Sequence, residues 1–412
     1  MSMPCPGAAR QVRAGRRPAT RPDRATARTF AHLGDRRWRP RDLIAAGAPL
    51  GPSTISAQSS TASSAASGGE ACLLRPRASA GVSPREHGLG GDRPRAGAKR
   101  RARASGGRTY GELASSVATV GAAPALSFAY VRDDLGRITE KTETRSGVSH
   151  VFGYSYDAAG RLTQVTEDGD VVESYGYDAN GNRTSSLNAA GTFAGTFDDQ
   201  DRLVAYGALS FTWTDNGELA TMTDASTGDV TSYAYDALGN LLAVELPDGD
   251  VIEYLVDGMG RRVGKKRNGV LERAWLWRGQ LQPVAELDGA GNVVARFVYA
   301  EGVNAPEQMI TATGTYRFIK DHLGSVRLVV DETTGAVEQE LVYDSWGRVL
   351  VDTNPGLQPF GFAGGLYDAD TGLVRFGARD YDAEVGRWTA KDPWRFSDGG
   401  NLFQYCLSDP NN

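Results

Sequence analysis

The chain has 412 residues, 40% hydrophobic and 23% charged, which is long enough for two or three domains and a sizeable core. Its net charge of −5 conceals a division: residues 1–105 carry 20 Lys and Arg against 6 Asp and Glu, and the remainder 25 against 44, the pattern of a basic tail joined to an acidic body. No run of ~18 apolar residues occurs, which excludes an apolar membrane-spanning helix, and the acidic body gives no reason to expect nucleic-acid binding.

Residues 1–107 are rich in Arg, Ala, Pro, Gly and Ser, with Phe30 and Trp38 as their aromatics. No helical or strand period lasts long enough to bury a face, so this segment is expected to be disordered. Its first 28 residues are basic but lack the apolar stretch of a secretory signal. The run Lys99-Arg100-Arg101-Ala102-Arg103 could meet nucleic acid or anionic lipid, but it has no interleaved aromatics and is read as solvated charge. A misread frame of GC-rich DNA would show the same bias; peptides from this segment in the source cells would exclude that origin.

From Arg108 a repeat emerges. Tyr156-Asp157-Ala158-Ala159-Gly160-Arg161-Leu162 is followed by Tyr177-Asp178-Ala179-Asn180-Gly181-Asn182-Arg183. Later copies start at Tyr235-Asp236 and Tyr343-Asp344, with weaker ones at 133–138, 197–203, 213–219 and 254–263. The glycine slot falls at 136, 160, 181, 217, 239 and 260, with Asp201 taking it once, so the period is about twenty residues. Each unit reads as strand, tight turn, strand. The tyrosine ends one strand, the aspartate accepts backbone N–H groups to form an Asx-turn, and the glycine supplies the positive φ of the reversal. Between units, Asp168-Gly169, Asp248-Gly249, Asn268-Gly269 and Asp288-Gly289 signal hairpins. Along Val251–Val256, Ile252, Tyr254 and Val256 share one face of a strand. A unit this small cannot bury a face alone, so residues 108–355 are expected to stack into an all-β wall, a spiralling, strongly twisted antiparallel sheet.

The aspartates sit where turns need them and match no EF-hand loop, so they are read as turn formers. Cys5, Cys72 and Cys406 are scattered and read as unpaired thiols. His32, His87, His150 and His322 form no ligand pair, and neither a metal nor a cofactor is expected. His322 has no nucleophile or orienting carboxylate at readable spacing and is taken as a hydrogen-bonded wall residue.

The Tyr-Asp-x-x-Gly-Arg units resemble the YD repeats of bacterial RHS proteins, of Tc toxin C components and of the teneurin YD-shell. Two further stretches point to RHS proteins. Lys320-Asp321-His322-Leu323-Gly324-Ser325 is similar to the family's DHLGS element. Residues 356–412 resemble the RHS repeat-associated core, with Gly361-Phe362-Ala363-Gly364-Gly365-Leu366-Tyr367-Asp368, Arg379-Asp380-Tyr381-Asp382, Gly386-Arg387-Trp388 and Lys391-Asp392-Pro393.

The resemblance implies a hollow β-shell that encloses a C-terminal toxin used against rival cells or a host. It also implies an aspartic self-protease in the core that frees this cargo. Arg379 and Asp392 match its motif. The second aspartate of the dyad would fall near position 415, about three residues beyond Asn412, while Asp398 and Asp409 stand at the wrong spacing from Asp392. Two carboxylates must share a proton for such chemistry, so no self-cleavage is expected, and Asp392 is equally readable as a turn former before Pro393. Trp394-Arg395 stands where the family has Ile-Gly. The expected function is therefore a partial, cargo-less shell, secreted or surface-delivered by a non-signal-peptide route with secretion machinery as partner, or otherwise cytoplasmic. The alternatives are an adhesion module whose exposed aromatics contact carbohydrate or a cell surface, and a self-protease completed by further residues.

Overall fold

The computed structural model describes residues 55–61 (backbone only), 112–120, 123–300, 304–397 and 399–412. The repeat turn is its elementary unit. In Asp157, Oδ1 accepts the N–H groups of Ala159 and Arg161 at 2.9 and 3.0 Å, and Oδ2 accepts Nε of Arg161 at 2.7 Å. The same closure recurs at Asp133, Asp178, Asp198, Asp236, Asp257 and Asp344, with Arg or Asn four residues on. Asp321 builds it too, with N–H groups of Leu323 and Ser325, so the DHLGS element is one more copy of the turn. Gly160 has φ 87°, and Asp201 adopts φ 60° in the slot that glycine fills elsewhere. Asp168-Gly169 and Asn268-Gly269 both take paired positive φ, as a two-residue hairpin requires.

Every strand pairs antiparallel with the next, from Ile55–Thr61 through to Val349–Asp352, in a 24-stranded sheet. At most repeat turns the register slips just before the aspartate, as at Tyr156, Tyr177, Tyr235, Val256, Lys320 and Tyr343. A β-bulge bends its strand and increases local twist; repeated at each unit, it curls the sheet. Leu126, Tyr154, Leu162 and Tyr175 from early strands therefore share one core with Ile319, Leu328 and Val330 from late ones. In Val251–Val256, Ile252 and Tyr254 are buried, Val256 is half-buried and Leu255 faces out.

The C-terminal segment fills this curl. It forms a second, four-stranded sheet, Leu366–Tyr367, Leu373–Phe376, Arg379–Asp382 and Arg387–Trp388. Its side chains enter all three cores: Phe376, Tyr381, Trp388 and Tyr405 the first, Leu373 and Val385 the second, Phe360 and Leu366 the third.

The disorder expected over 1–107 lies outside the described residues apart from Ile55–Thr61, whose backbone pairs with Leu113–Val120. Two expectations change. Asp288-Gly289 is not a two-residue turn. Asp288 instead caps Ala290 and Asn292 with Gly291 at φ 86°, a repeat turn in hairpin disguise. Cys406 is disulfide-bonded rather than an unpaired thiol.

The turn carboxylates make stability depend on pH in a definite direction. Burial opposes ionisation of Asp157, but hydrogen bonds from Arg161 and Ala159 outweigh it and hold the carboxyl below its ordinary 3.8; Asp133, Asp198 and Asp257 behave alike. Their stabilisation is present above that value and lost as pH falls below it. Burial pushes Asp344, reinforced by the charge of Glu173, and Asp382, reinforced by Glu384, up to about 6, so their contribution is fully present below the ordinary 3.8 and is lost as pH rises from there to about 6. The urea midpoint should therefore peak near pH 4, fall between about pH 4 and 6 and level off above that. A midpoint still rising at pH 8 would contradict this reading.

Candidate functional site

The two residues singled out in the C-terminal segment meet. Arg379 opens the strand Arg379–Asp382, and Asp392 lies in the loop that follows the strand Arg387–Trp388. Arg379 Nη2 is 2.8 Å from Asp392 Oδ2, and the guanidinium lies 4.0 Å from the centre of the Trp388 ring. The ion pair is thus sheltered on one side by an aromatic face, with side chains 14% and 13% exposed. The other oxygen, Asp392 Oδ1, accepts the Trp394 N–H at 2.8 Å, and the Asp392 N–H bonds the Leu402 carbonyl at 3.0 Å.

The substituted turn after Pro393 still closes: the Arg395 N–H bonds the Asp392 carbonyl at 2.9 Å. Arg395 does so at φ 54°, the left-handed region where the family's glycine would sit without strain. Asp398 lies outside the described residues. Asp409 is turned elsewhere, with both oxygens accepting from Asn412 at 2.9 and 3.0 Å, and burial raises its carboxyl to about 6. Among the described residues no carboxylate is hydrogen-bonded to Asp392. The arrangement holds one carboxylate in place, paired with a guanidinium and capped by a backbone N–H.

Other charged groups form the deeper network, and single-sequence reading missed them. Asp380 is 1% exposed and held between Arg262 at 2.8 Å and Arg375 at 2.7 Å. Asp368 accepts from Tyr254 Oη at 2.7 Å and from Lys265 Nζ at 2.6 Å, and Asp370 from Lys265 and Arg267. Arg387 bonds Asn182 Oδ1 at 3.0 Å and the Asp201 carbonyl at 2.5 Å; burial lowers its pKa to about 9. These pairs bind the C-terminal segment to the wall. In the sequence, Asp368, Asp380 and Arg387 stood out only as members of the core motifs.

His322 Nε2 donates to the Asn411 carbonyl at 2.9 Å, and its ring is 4.7 Å from that of Tyr130. Burial, the largest influence on it, lowers its pKa. The wall role read for His322 matches these contacts. Among the described residues one group has metal-ligand chemistry, on an open hairpin: His150 Nδ1 lies 2.9 Å from Asp168 Oδ2 and 3.1 Å from Glu167 Oε1. The sequence reading missed it because Asp168 and Glu167 sit across the turn from His150.

Replacing Arg395 by glycine should stabilise the chain by about 0.5–1 kcal/mol, the relief of left-handed strain less the freedom glycine gains when unfolded. Asp392→Ala should cost about 1–2 kcal/mol through loss of the sheltered pair and the turn cap. Chemical denaturation of the two variants checks both signs.

The teneurin YD-shell family model matches residues 104–405. Human teneurin-4 is 29% identical over 286 residues, which cover 67% of this chain and 10% of teneurin-4. The toxin protein Tse5 of Pseudomonas aeruginosa is 27% identical over 328 residues, covering 62% of this chain and 24% of Tse5. A crystal structure of TcdB2-TccC3-Cdc42 aligns with a TM-score of 0.49 at 16% identity, over 73% of this chain and 17% of that one. The chain thus spans from a tenth to about a quarter of the length of these curated relatives. With its bulged Tyr-Asp turns, its curled antiparallel wall and a family match over most of its length, the chain belongs to the teneurin YD-shell family and is an RHS-type shell protein.

Proposed function

We propose that this chain is part of the wall of an RHS-type shell that, in the complete protein, encloses and releases a C-terminal toxin. One observation carries the reading: the C-terminal segment is wound back into the curl and its end is tied down. The Asn412 side chain accepts the Ile138 N–H at 2.8 Å and Arg132 Nη1 at 3.2 Å, so polypeptide at this point lies against the first repeats of the wall. Similarity to a protein named as a toxin supports the same reading. Two cavities of the described wall, of ≈ 350 and ≈ 240 Å³, are the size of small ligands rather than of a protein domain.

The adhesion reading receives less support. It calls for exposed rings, yet every described tyrosine is buried or half-buried, and Trp394 and Phe396 are the strongly exposed aromatics among the described residues. No helix of the described residues is long and apolar enough to cross a membrane. Delivery by a non-signal-peptide route belongs to the proposal.

Arg379 and Asp392 fit the role of a half-assembled self-cleavage site. The purified 412-residue chain should keep its intact mass on prolonged incubation, whereas cleavage would show a second acid already in place. The shell reading is tested by sequencing past codon 412 and expressing whatever frame continues. An aspartate near position 415, then an unrelated domain that arrests growth and resists trypsin until the shell is unfolded, is the expected result. Further wall repeats with no effector, or a downstream region cut at once by trypsin, would overturn it.

A further inference from the structure

The larger cavity lies at the seam where the last wall strand, Val349–Asp352, comes round to the first repeats. Its mouth is bordered by exposed Ala189, Leu350 and Val351. Phe152, Val165, Val172 and Phe362 give it an apolar side. Five carboxylates line it, Glu143, Glu167, Glu173, Asp321 and Asp344, with Lys141, Arg145 and Arg327; Asp344 also pairs with Arg348, Glu167 lies 3.1 Å from His150, and Asp321 lies 3.9 Å from Arg327.

All three cations converge on one carboxylate, Glu143, at 3.3, 3.4 and 2.7 Å. Glu173 is 7% exposed and receives only neutral donors, Tyr175 Oη at 2.7 Å and the Ser345 N–H at 3.2 Å. Among the described residues it has no ion-pair partner. A buried carboxylate without a counter-charge is costly to keep, and the upward shift of Asp344, to which Glu173 contributes after burial itself, reports that excess of negative charge. Two further buried atoms of the lining have no partner, Nδ1 of His322 and Oη of Tyr343. Both can accept a hydrogen bond from an N–H donor.

We propose that this cavity binds a small organic cation, an alkylammonium group on a short apolar body, with Glu173 as the anion that pairs with it. The apolar side takes the hydrocarbon, and Glu173, with the free acceptors of His322 and Tyr343, takes the three N–H donors of the ammonium. The volume lies in the range of small-ligand sites. A free amine and the side chain of a lysine in another polypeptide present the same group.

Titration calorimetry of the whole chain at pH 7 with n-butylamine, with n-butanol as its neutral match, and with a short lysine-containing peptide tests this. Butylamine or the peptide should bind while butanol does not; binding of the peptide alone assigns the site to a polypeptide side chain, binding of the amine to a free ligand. Glu173→Gln should weaken binding by about thirtyfold or more, the loss for removing one partner of a buried charge pair. Glu245→Gln, exposed and outside the lining, should leave binding nearly unchanged. If Glu173→Gln does not fold, the carboxyl carbon resonance of Glu173 in the unaltered chain must shift on adding the amine. Equal binding of butanol, an unmoved resonance, or no binding by any probe, as for a cavity holding only water, would overturn the proposal.

Discussion

The structure depends on one carboxylate used many times. Each repeat aspartate gathers two backbone N–H groups with one oxygen and an Arg or Asn side chain with the other, which closes a five-residue reversal without any core beneath it. The closed turn is coupled to its neighbour. Arg161, held by Asp157, extends Nη1 to the Asp178 carbonyl at 2.7 Å and stacks 4.8 Å from the ring of Tyr177. Tyr177 returns its hydroxyl to the Leu162 carbonyl at 2.7 Å. Tyr156 does the same to Ile138, and Trp213 substitutes an indole N–H toward Leu203. One residue pair therefore sets the turn, the spacing between turns and, through the accompanying bulge, the curvature of the wall.

A curled sheet has an inner face that needs covering, and the C-terminal segment covers it with aromatics and buried ion pairs together. Phe362, Phe376, Tyr381, Trp388 and Tyr405 stack on one another at centroid distances of 4.2 to 6.4 Å. Around them Asp380, Asp368 and Arg387 reach wall residues in mid-chain repeats. Removing one partner of a buried pair leaves its mate uncompensated, at a cost of about 3–5 kcal/mol. Such groups are poor sources of net stability but strong enforcers of one docking geometry, and Arg379 with Asp392 sits on the rim of the same assembly.

The repeat was legible because its cause is local: aspartate, glycine and the following Arg or Asn lie within five residues, and their chemistry survives in any context. The faces of Val251–Val256 were legible for the same reason. Legibility failed where the cause is distant. Asp380 meets Arg262, Asp368 meets Lys265, and Arg387 meets Asn182, each across more than a hundred residues. Asp288-Gly289 misled because the same dipeptide suits two turns, and the choice fell to Asn292, which supplies the side chain that the repeat turn requires. At the site, motif resemblance found Arg379 and Asp392, but their sheltering by Trp388 follows from packing alone.

The sequential pairing of every strand with the next has a consequence for how the protein is made. Hairpins of this kind can form as they leave the ribosome, since each needs only the residues just synthesised. The cover cannot: the bond from Ile138 to Asn412 joins positions 274 residues apart. At roughly 5–20 residues per second, the early wall waits on the order of tens of seconds with its apolar side bare. The inner face of the wall is thus completed only when the last residues of the segment have been made.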